Sequence, residues 1–86
     1  MPKQIDFYGK PGCPLCDEGE EVCADLSERF VFELKKHNIL QDEALFARYR
    51  YAVPVVVIDG IERARLKFNE QELEAAFTAA QVPHRE

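Results

Sequence analysis

Residues 3–18 read KQIDFYGKPGCPLCDE, and this stretch decides the architecture. Ile5 and Phe7 alternate with Gln4, Asp6 and Tyr8 as far as Gly9, the two-residue period of a half-buried strand. Lys10-Pro11-Gly12 then breaks the period as a turn. Pro14 suits the first turn of a helix, where its missing N–H removes no hydrogen bond. Beyond it Leu15, Gly19, Val22 and Leu26 fall on one stripe at helical spacing, with Asp17, Glu18, Glu20 and Glu21 mostly outside it. The expected layout is a strand running into a helix over residues 14–28, with Cys13 and Cys16 at the junction.

Working outward, Phe30, Phe32 and Leu34 alternate with Val31, Glu33 and Lys35, which predicts a second short strand. Asp42 reads as an N-cap, with Leu45, Phe46 and Tyr49 on one face of a short helix. Pro54 to Ile58 is continuously apolar and β-branched, as a strand buried on both faces requires. Asp59-Gly60 tolerates the positive φ of a tight hairpin. The returning strand puts Ala64, Leu66 and Phe68 on one face and Arg63, Arg65 and Lys67 on the other. The last helix carries the clearest start signal: Asn69 as cap, Glu72 at N3 for a capping box, and Phe68 stapled onto Leu73. Leu73, Ala76, Phe77 and Ala80 continue its apolar face until Val82-Pro83 ends it. The order β-α-β-α-β-β-α predicts an α/β fold: a four-stranded mixed sheet with helices on both faces.

Composition narrows the function classes. Eighty-six residues leave no room for two cores, so residues 1–86 are read as one domain, without repeat or linker. Eleven Lys and Arg against sixteen Asp and Glu give a net charge of −5, a poor match to a nucleic-acid binder. The longest apolar run, Tyr51 to Ile58, falls far short of a membrane span of roughly 20 residues. Asp6 comes too early for a secretory leader. The expectation is a soluble, cytoplasmic monomer. Three cysteines are an odd number for a stapled scaffold in a reducing compartment, so their role is read as chemical.

Cys13 and Cys16 carry that chemistry. At a strand–helix junction, unpaired backbone N–H groups and the positive end of the helix dipole stabilise an anion. A free thiol of pKa ~8.5 is only a few per cent thiolate at pH 7, whereas one lowered to about 7 is roughly half ionised. Cys16, almost one turn later, can attack a mixed disulfide formed at Cys13. Cys13 is therefore the nucleophile, expected exposed, and Cys16 the shielded resolving thiol. Pro54 heads a buried strand although it cannot donate to a ladder. A cis Val53–Pro54 bond accounts for that and turns the Val53 backbone outward, toward an extended peptide or glutathione.

Strand, K-x-x-C-P-x-C, helix, then V-P before a buried strand and a D-G hairpin resembles the thioredoxin-fold glutaredoxins. The wording Tyr8-Gly9-Lys10-Pro11-Gly12-Cys13-Pro14-Leu15-Cys16-Asp17-Glu18 is most similar to the small bacterial glutaredoxin-like proteins, and the resemblance runs from about Lys3 to Ala80. It implies a thiol–disulfide oxidoreductase acting on protein or glutathione mixed disulfides. Cys13 and Cys16 would be its thiols, Pro54 the cis-proline, Val53 the backbone contact and Lys10 a contact for a glutathione carboxylate. No tightly bound cofactor is implied; glutathione enters as co-substrate. Leu15 replaces the usual aromatic between the cysteines. The Gly-Gly pair and Asp that hold the glutamyl end of glutathione are missing, with the charges of Ile61 to Lys67 in their place. Glu18, Glu20 and Glu21 oppose an anionic tripeptide. Disulfide chemistry is thus better supported than glutathione as its partner. A second class stays open: a binding module that carries an iron–sulfur cluster bridged between two subunits or docks a protein.

The remaining candidates have plainer readings. Cys23, two turns after Cys16, lies on the same flank of the helix and reads as core filler. His37 and His84, expected in a loop and a tail, give no second ligand pair for a zinc site. Arg63, Arg65 and Lys67 read as charges that protect an edge strand. Tyr8 leans over the site or belongs to the core or sheet surface.

Overall fold

The computed structural model describes residues 3–86. Its elements are β1 (Lys3–Gly9), α1 (Pro14–Leu26), β2 (Phe32–Asn38), a 3-10 turn (Ile39–Gln41), α2 (Glu43–Tyr49), β3 (Val55–Ile58), β4 (Ile61–Arg65) and α3 (Glu70–Ala79). The sheet order is β2-β1-β3-β4, with β1 parallel to β2 and the other pairs antiparallel. This is the mixed four-stranded sheet that the element order predicts. Asp59 and Gly60, at φ 54 and 77, make the hairpin turn.

The sheet separates two apolar clusters. Ile5, Phe7, Val56 and Ile58 pack with Cys23 and Leu26 of α1 and with Leu73 and Phe77 of α3. Phe30 closes that side with its ring edge-on to Phe77 at 5.4 Å. On the other face Val55 and Val57 meet Tyr49 of α2, together with Ile39 and the two cysteines at the tip of α1. Every residue of β3 is buried, as its uninterrupted apolar run requires. At the start of α3 both halves of the capping box are present. The Asn69 carboxamide oxygen accepts from the Glu72 N–H at 2.8 Å, and the Glu72 carboxylate accepts from the Asn69 N–H at 3.2 Å.

Three expectations shift. α1 ends at Leu26, two residues short of the expected Glu28. β2 begins at Phe32 and runs on to Asn38, because all of β1 from Lys3 to Gly9 pairs with it in parallel register. Phe30 instead makes an isolated antiparallel bridge to His84. β4 stops at Arg65, after a register shift between Val56 and Val57. Leu66 turns left-handed at φ 63 and is 44% exposed, so it leaves the face expected to carry Ala64 and Phe68.

Candidate active site

Two glycines let α1 come close to the sheet. A Cβ on Gly9 would lie 3.3 Å from Cys16 Sγ, so bare backbone at the end of β1 makes room for the second sulfur. A Cβ on Gly19 would lie 3.1 Å from Phe68 Cζ, 3.2 Å from Pro54 Cγ and 3.3 Å from Phe7 Cε2. α1 therefore rests directly on Pro54, the residue just before β3.

Cys13 is the N-cap of α1, with extended backbone at φ −112 and ψ 104. Its sulfur accepts a hydrogen bond from the Cys16 N–H at 3.2 Å. Cys13 and Cys16 are joined as a disulfide, with Cα atoms 5.2 Å apart. Cys13 is 9% exposed and Cys16 3%. Cys13 is thus the more accessible of the two, but in this oxidised form it is mostly covered by the second cluster rather than exposed. An N–H aimed at sulfur favours the anionic form. Asp17 in the first turn works against it, and no basic residue stands in the last turn of α1.

Val53 lies in the same buried cluster as both cysteines, and the Val53–Pro54 bond is cis. Its backbone is only half available. The N–H groups of Ala52 and Val53 both donate to the carbonyl of Tyr49, at 2.8 and 3.2 Å. The physical reason is the end of α2, whose last carbonyls lack helical partners and take the nearest donors. Leu66 N–H donates to the carbonyls of Ala52 at 3.2 Å and Pro54 at 2.9 Å. Between them the Val53 carbonyl has no backbone partner among the described residues. The expectation that both backbone groups of Val53 are turned outward is corrected: its N–H is taken by the Tyr49 carbonyl, and only its own carbonyl is left without a backbone partner among the described residues.

Beside the disulfide a cleft of about 330 Å³ is lined by Gly9, Lys10, Cys16, Asp17, Glu20 and Lys36, among others. Glu20 and Lys36 form an ion pair across it at 3.6 Å. Lys10 therefore shares this cleft with Cys16, whereas Val53 and Pro54 lie outside its lining. The predicted residues divide into a thiol pair, a ledge at Val53 and Pro54, and a lysine on the Cys16 flank.

A family model described as glutaredoxin-like domain (DUF836) matches residues 4–78. The chain belongs to this glutaredoxin-like family. The protein XcR50 from X. campestris, known from an X-ray structure, is 28% identical, with a TM-score of 0.74 over 87% of this chain and 96% of its own. Ne2328 from Nitrosomonas europaea, solved in solution by NMR, is also 28% identical, with a TM-score of 0.75 over 87% of this chain and 91% of its own. A malarial protein of known structure, 14% identical at a TM-score of 0.60 over 95% of this chain and all of its own, shares the fold.

Other side chains of this glutaredoxin-like domain take places that the sequence did not indicate. His37 is on β2, not in a loop, and is only partly exposed. Its Nε2 is 2.8 Å from the Asp6 carboxylate, and its ring stacks on Tyr8 at 4.6 Å. The strand register that places Tyr8 opposite His37 accounts for both contacts. Tyr8 in turn meets Tyr49 at 4.8 Å and packs against the cluster that holds the thiols. Burial first, then the Asp6 charge, raises the Tyr8 hydroxyl above its ordinary pKa. His84 is in the C-terminal segment as expected, but its ring lies against Phe30 at 4.4 Å. Cys23 is 1% exposed and belongs to the opposite cluster from the disulfide. Burial, with a smaller effect of Glu20, pushes its thiol up to about 12. Among the described residues no three His, Cys, Asp or Glu converge on one point that could hold a metal ion. Arg65 does not simply protect an edge: Glu62 holds it through two bonds, at 2.6 and 2.8 Å.

Proposed function

We propose that this glutaredoxin-like domain is a thiol–disulfide oxidoreductase that reduces protein disulfides through Cys13 and Cys16. The observation that carries the reading is the disulfide at the N-terminus of α1, its Cys13 sulfur held by the Cys16 N–H at 3.2 Å. In the reduced form that N–H stabilises a Cys13 thiolate. The thiolate attacks one sulfur of the partner disulfide, forming a mixed disulfide and releasing the partner's other sulfur as thiolate, which takes up a proton. Cys16, having lost its proton to solvent, attacks the Cys13 sulfur and releases the second partner thiol. Two electrons pass to the partner, and the chain is left as the Cys13–Cys16 disulfide. A low-molecular-weight thiol such as glutathione, or a protein dithiol, returns it to the reduced state. The free Val53 carbonyl accepts an N–H from the extended segment that holds the partner cysteine, and Pro54 sets the position of that ledge. Lys10 offers a cation to an anionic thiol on the Cys16 flank.

The test follows single turnovers with a small disulfide by intact-mass spectrometry. Cys16→Ser should accumulate a mixed disulfide at Cys13, and Cys13→Ser should abolish exchange. Retention of exchange by Cys13→Ser, or an adduct on Cys16 in the wild-type protein, would reverse the roles.

A further inference from the structure

The ledge at Val53 has two large apolar side chains standing in solvent beside it. Tyr51 is 81% exposed and Leu66 is 44% exposed. Both are tied to the ledge: Tyr51 directly precedes Ala52, and Leu66 N–H donates to the carbonyls of Ala52 and Pro54. Neither is loosely placed. The Arg50 guanidinium lies over the Tyr51 ring at 4.7 Å and over the Phe46 ring at 5.8 Å, so one cation ties the exposed ring to α2. Leu66 holds a left-handed backbone at φ 63, a conformation that costs a non-glycine residue, and keeps 44% of its surface in solvent. Large apolar groups held outward beside a reactive centre are the mark of a contact surface.

Charge is divided across the same centre. Residues 14–26, the length of α1, include five acids and no cation, while residues 48–67 include five cations and two acids, in a chain of net charge −5. Of those cations only Arg65 has a carboxylate within 4 Å among the described residues, namely Glu62. Among the described residues Arg48, Arg50, Arg63 and Lys67 have no carboxylate within that distance. A segment laid across the disulfide meets repulsion on the α1 flank and attraction on the other if it is acidic.

We infer that Tyr51, Leu66, Arg50 and Lys67 form a docking strip for an extended, acidic segment of a partner protein, whose backbone N–H pairs with the Val53 carbonyl. The inference rests on the thiol–disulfide reading above and names the partner class for the same site. Backbone pairing fixes the register of the bound segment, the two apolar groups contact its side chains, and the cations select its charge.

The experiment uses two synthetic peptides of equal length, identical next to one cysteine and flanked further out by Glu in one and Lys in the other. Each is supplied as a mixed disulfide with 2-mercaptoethanol and reduced by the dithiol form of the protein, with each rate divided by that peptide's rate with dithiothreitol. Attraction to the exposed cations of the strip should make the acidic peptide react about tenfold faster at low ionic strength. The preference should shrink in 1 M salt, where the screening length is about 3 Å. In the Arg50→Glu/Lys67→Glu double variant the ratio should fall to one or invert. Equal rates for the two peptides, or a ratio unchanged in the variant, would overturn the docking strip. So would a wild-type dimer that dissociates in the double variant, since the strip would then be occupied by a second copy. Bis(2-hydroxyethyl) disulfide separates the two levels. If the wild-type protein reduces it but does not discriminate between the peptides, only the docking strip fails; if it is not reduced, the exchange reading fails and the strip with it.

Discussion

Replacing Gly19 by Ala tests how closely α1 rests on the ledge. In an exposed helix interior this change stabilises by about 1 kcal/mol, because alanine loses less backbone entropy. Here the added methyl would stand 3.1 Å from Phe68, 3.2 Å from Pro54 and 3.3 Å from Phe7, all inside ordinary contact distance. Phe7 is 2% exposed and Phe68 9%, and the Pro54 ring is rigid, so none of the three has free space to move into. Overpacking of this kind costs about 1–3 kcal/mol. Subtracting the propensity gain leaves a net loss of roughly 1 kcal/mol. For a domain of this size that corresponds to a fall in Tm of about 4–8 °C. Equilibrium urea unfolding, followed by far-ultraviolet circular dichroism with the disulfide intact, should show a lower midpoint at unchanged slope. Ala24→Gly, at an exposed position of the same helix, isolates the propensity effect and should cost about 1 kcal/mol. A Gly19→Ala protein more stable than wild type by about 1 kcal/mol would refute the close approach.

Asn69→Ala removes the acceptor for the Glu72 N–H and should lower stability by about 1 kcal/mol in the same urea assay. Phe77→Ala empties a fully buried site against Phe30 and Phe32 and should cost about 3–5 kcal/mol, a large share of the total stability of a small domain. The core favours the protonated Cys23 thiol, so its contribution is complete below about pH 9 and declines as pH rises toward 12. Urea midpoints from pH 8 to 11 should therefore fall more steeply for wild type than for Cys23→Ala, and parallel curves would contradict a protonated buried thiol. Leu66→Gly relieves the left-handed backbone and should raise stability by up to about 1 kcal/mol while slowing reduction of the acidic peptide. A marked loss of stability would show that Leu66 packs in a way its exposure denies.

The strand, turn, proline and helix signals of residues 3–18, the Asp59-Gly60 hairpin and the Asn69 capping box are local. Each depends on neighbours within about four positions, and each was legible. β2 was harder because its second half, Lys35 to Asn38, has no apolar alternation. It is a strand because β1 pairs with it, and Phe30, which looks like its first residue, is held by His84 instead. The place of His37 on β2 is hidden in the sequence for the same reason. Its partners Asp6 and Tyr8 lie about thirty residues away and meet it only through the parallel register. Leu66 fits the period of β4, but the register shift at Val56 and Val57 and the bonds to Ala52 and Pro54 end the strand before it. Cysteine spacing and the V-P pair point to Cys13, Cys16 and Val53, which the fold gathers in one buried cluster. That the Tyr49 carbonyl takes the Val53 N–H depends on where α2 ends, which spacing does not reveal.

The division of the apolar interior has a dynamic consequence. Among the described residues, twelve buried ones form the cluster between the sheet and α1 and α3, and eight form the one beneath α2. α2 has only seven residues, too few to be helical without its packing. Local opening is therefore easier on the α2 side than on the other. The helix that presents the thiols is rooted by Cys23 and Leu26 in the firmer half, whereas the run from Ile39 to Val53 belongs to the softer one. Excursions of that softer half can reshape the approach to the sulfurs while the helix beneath them stays in place.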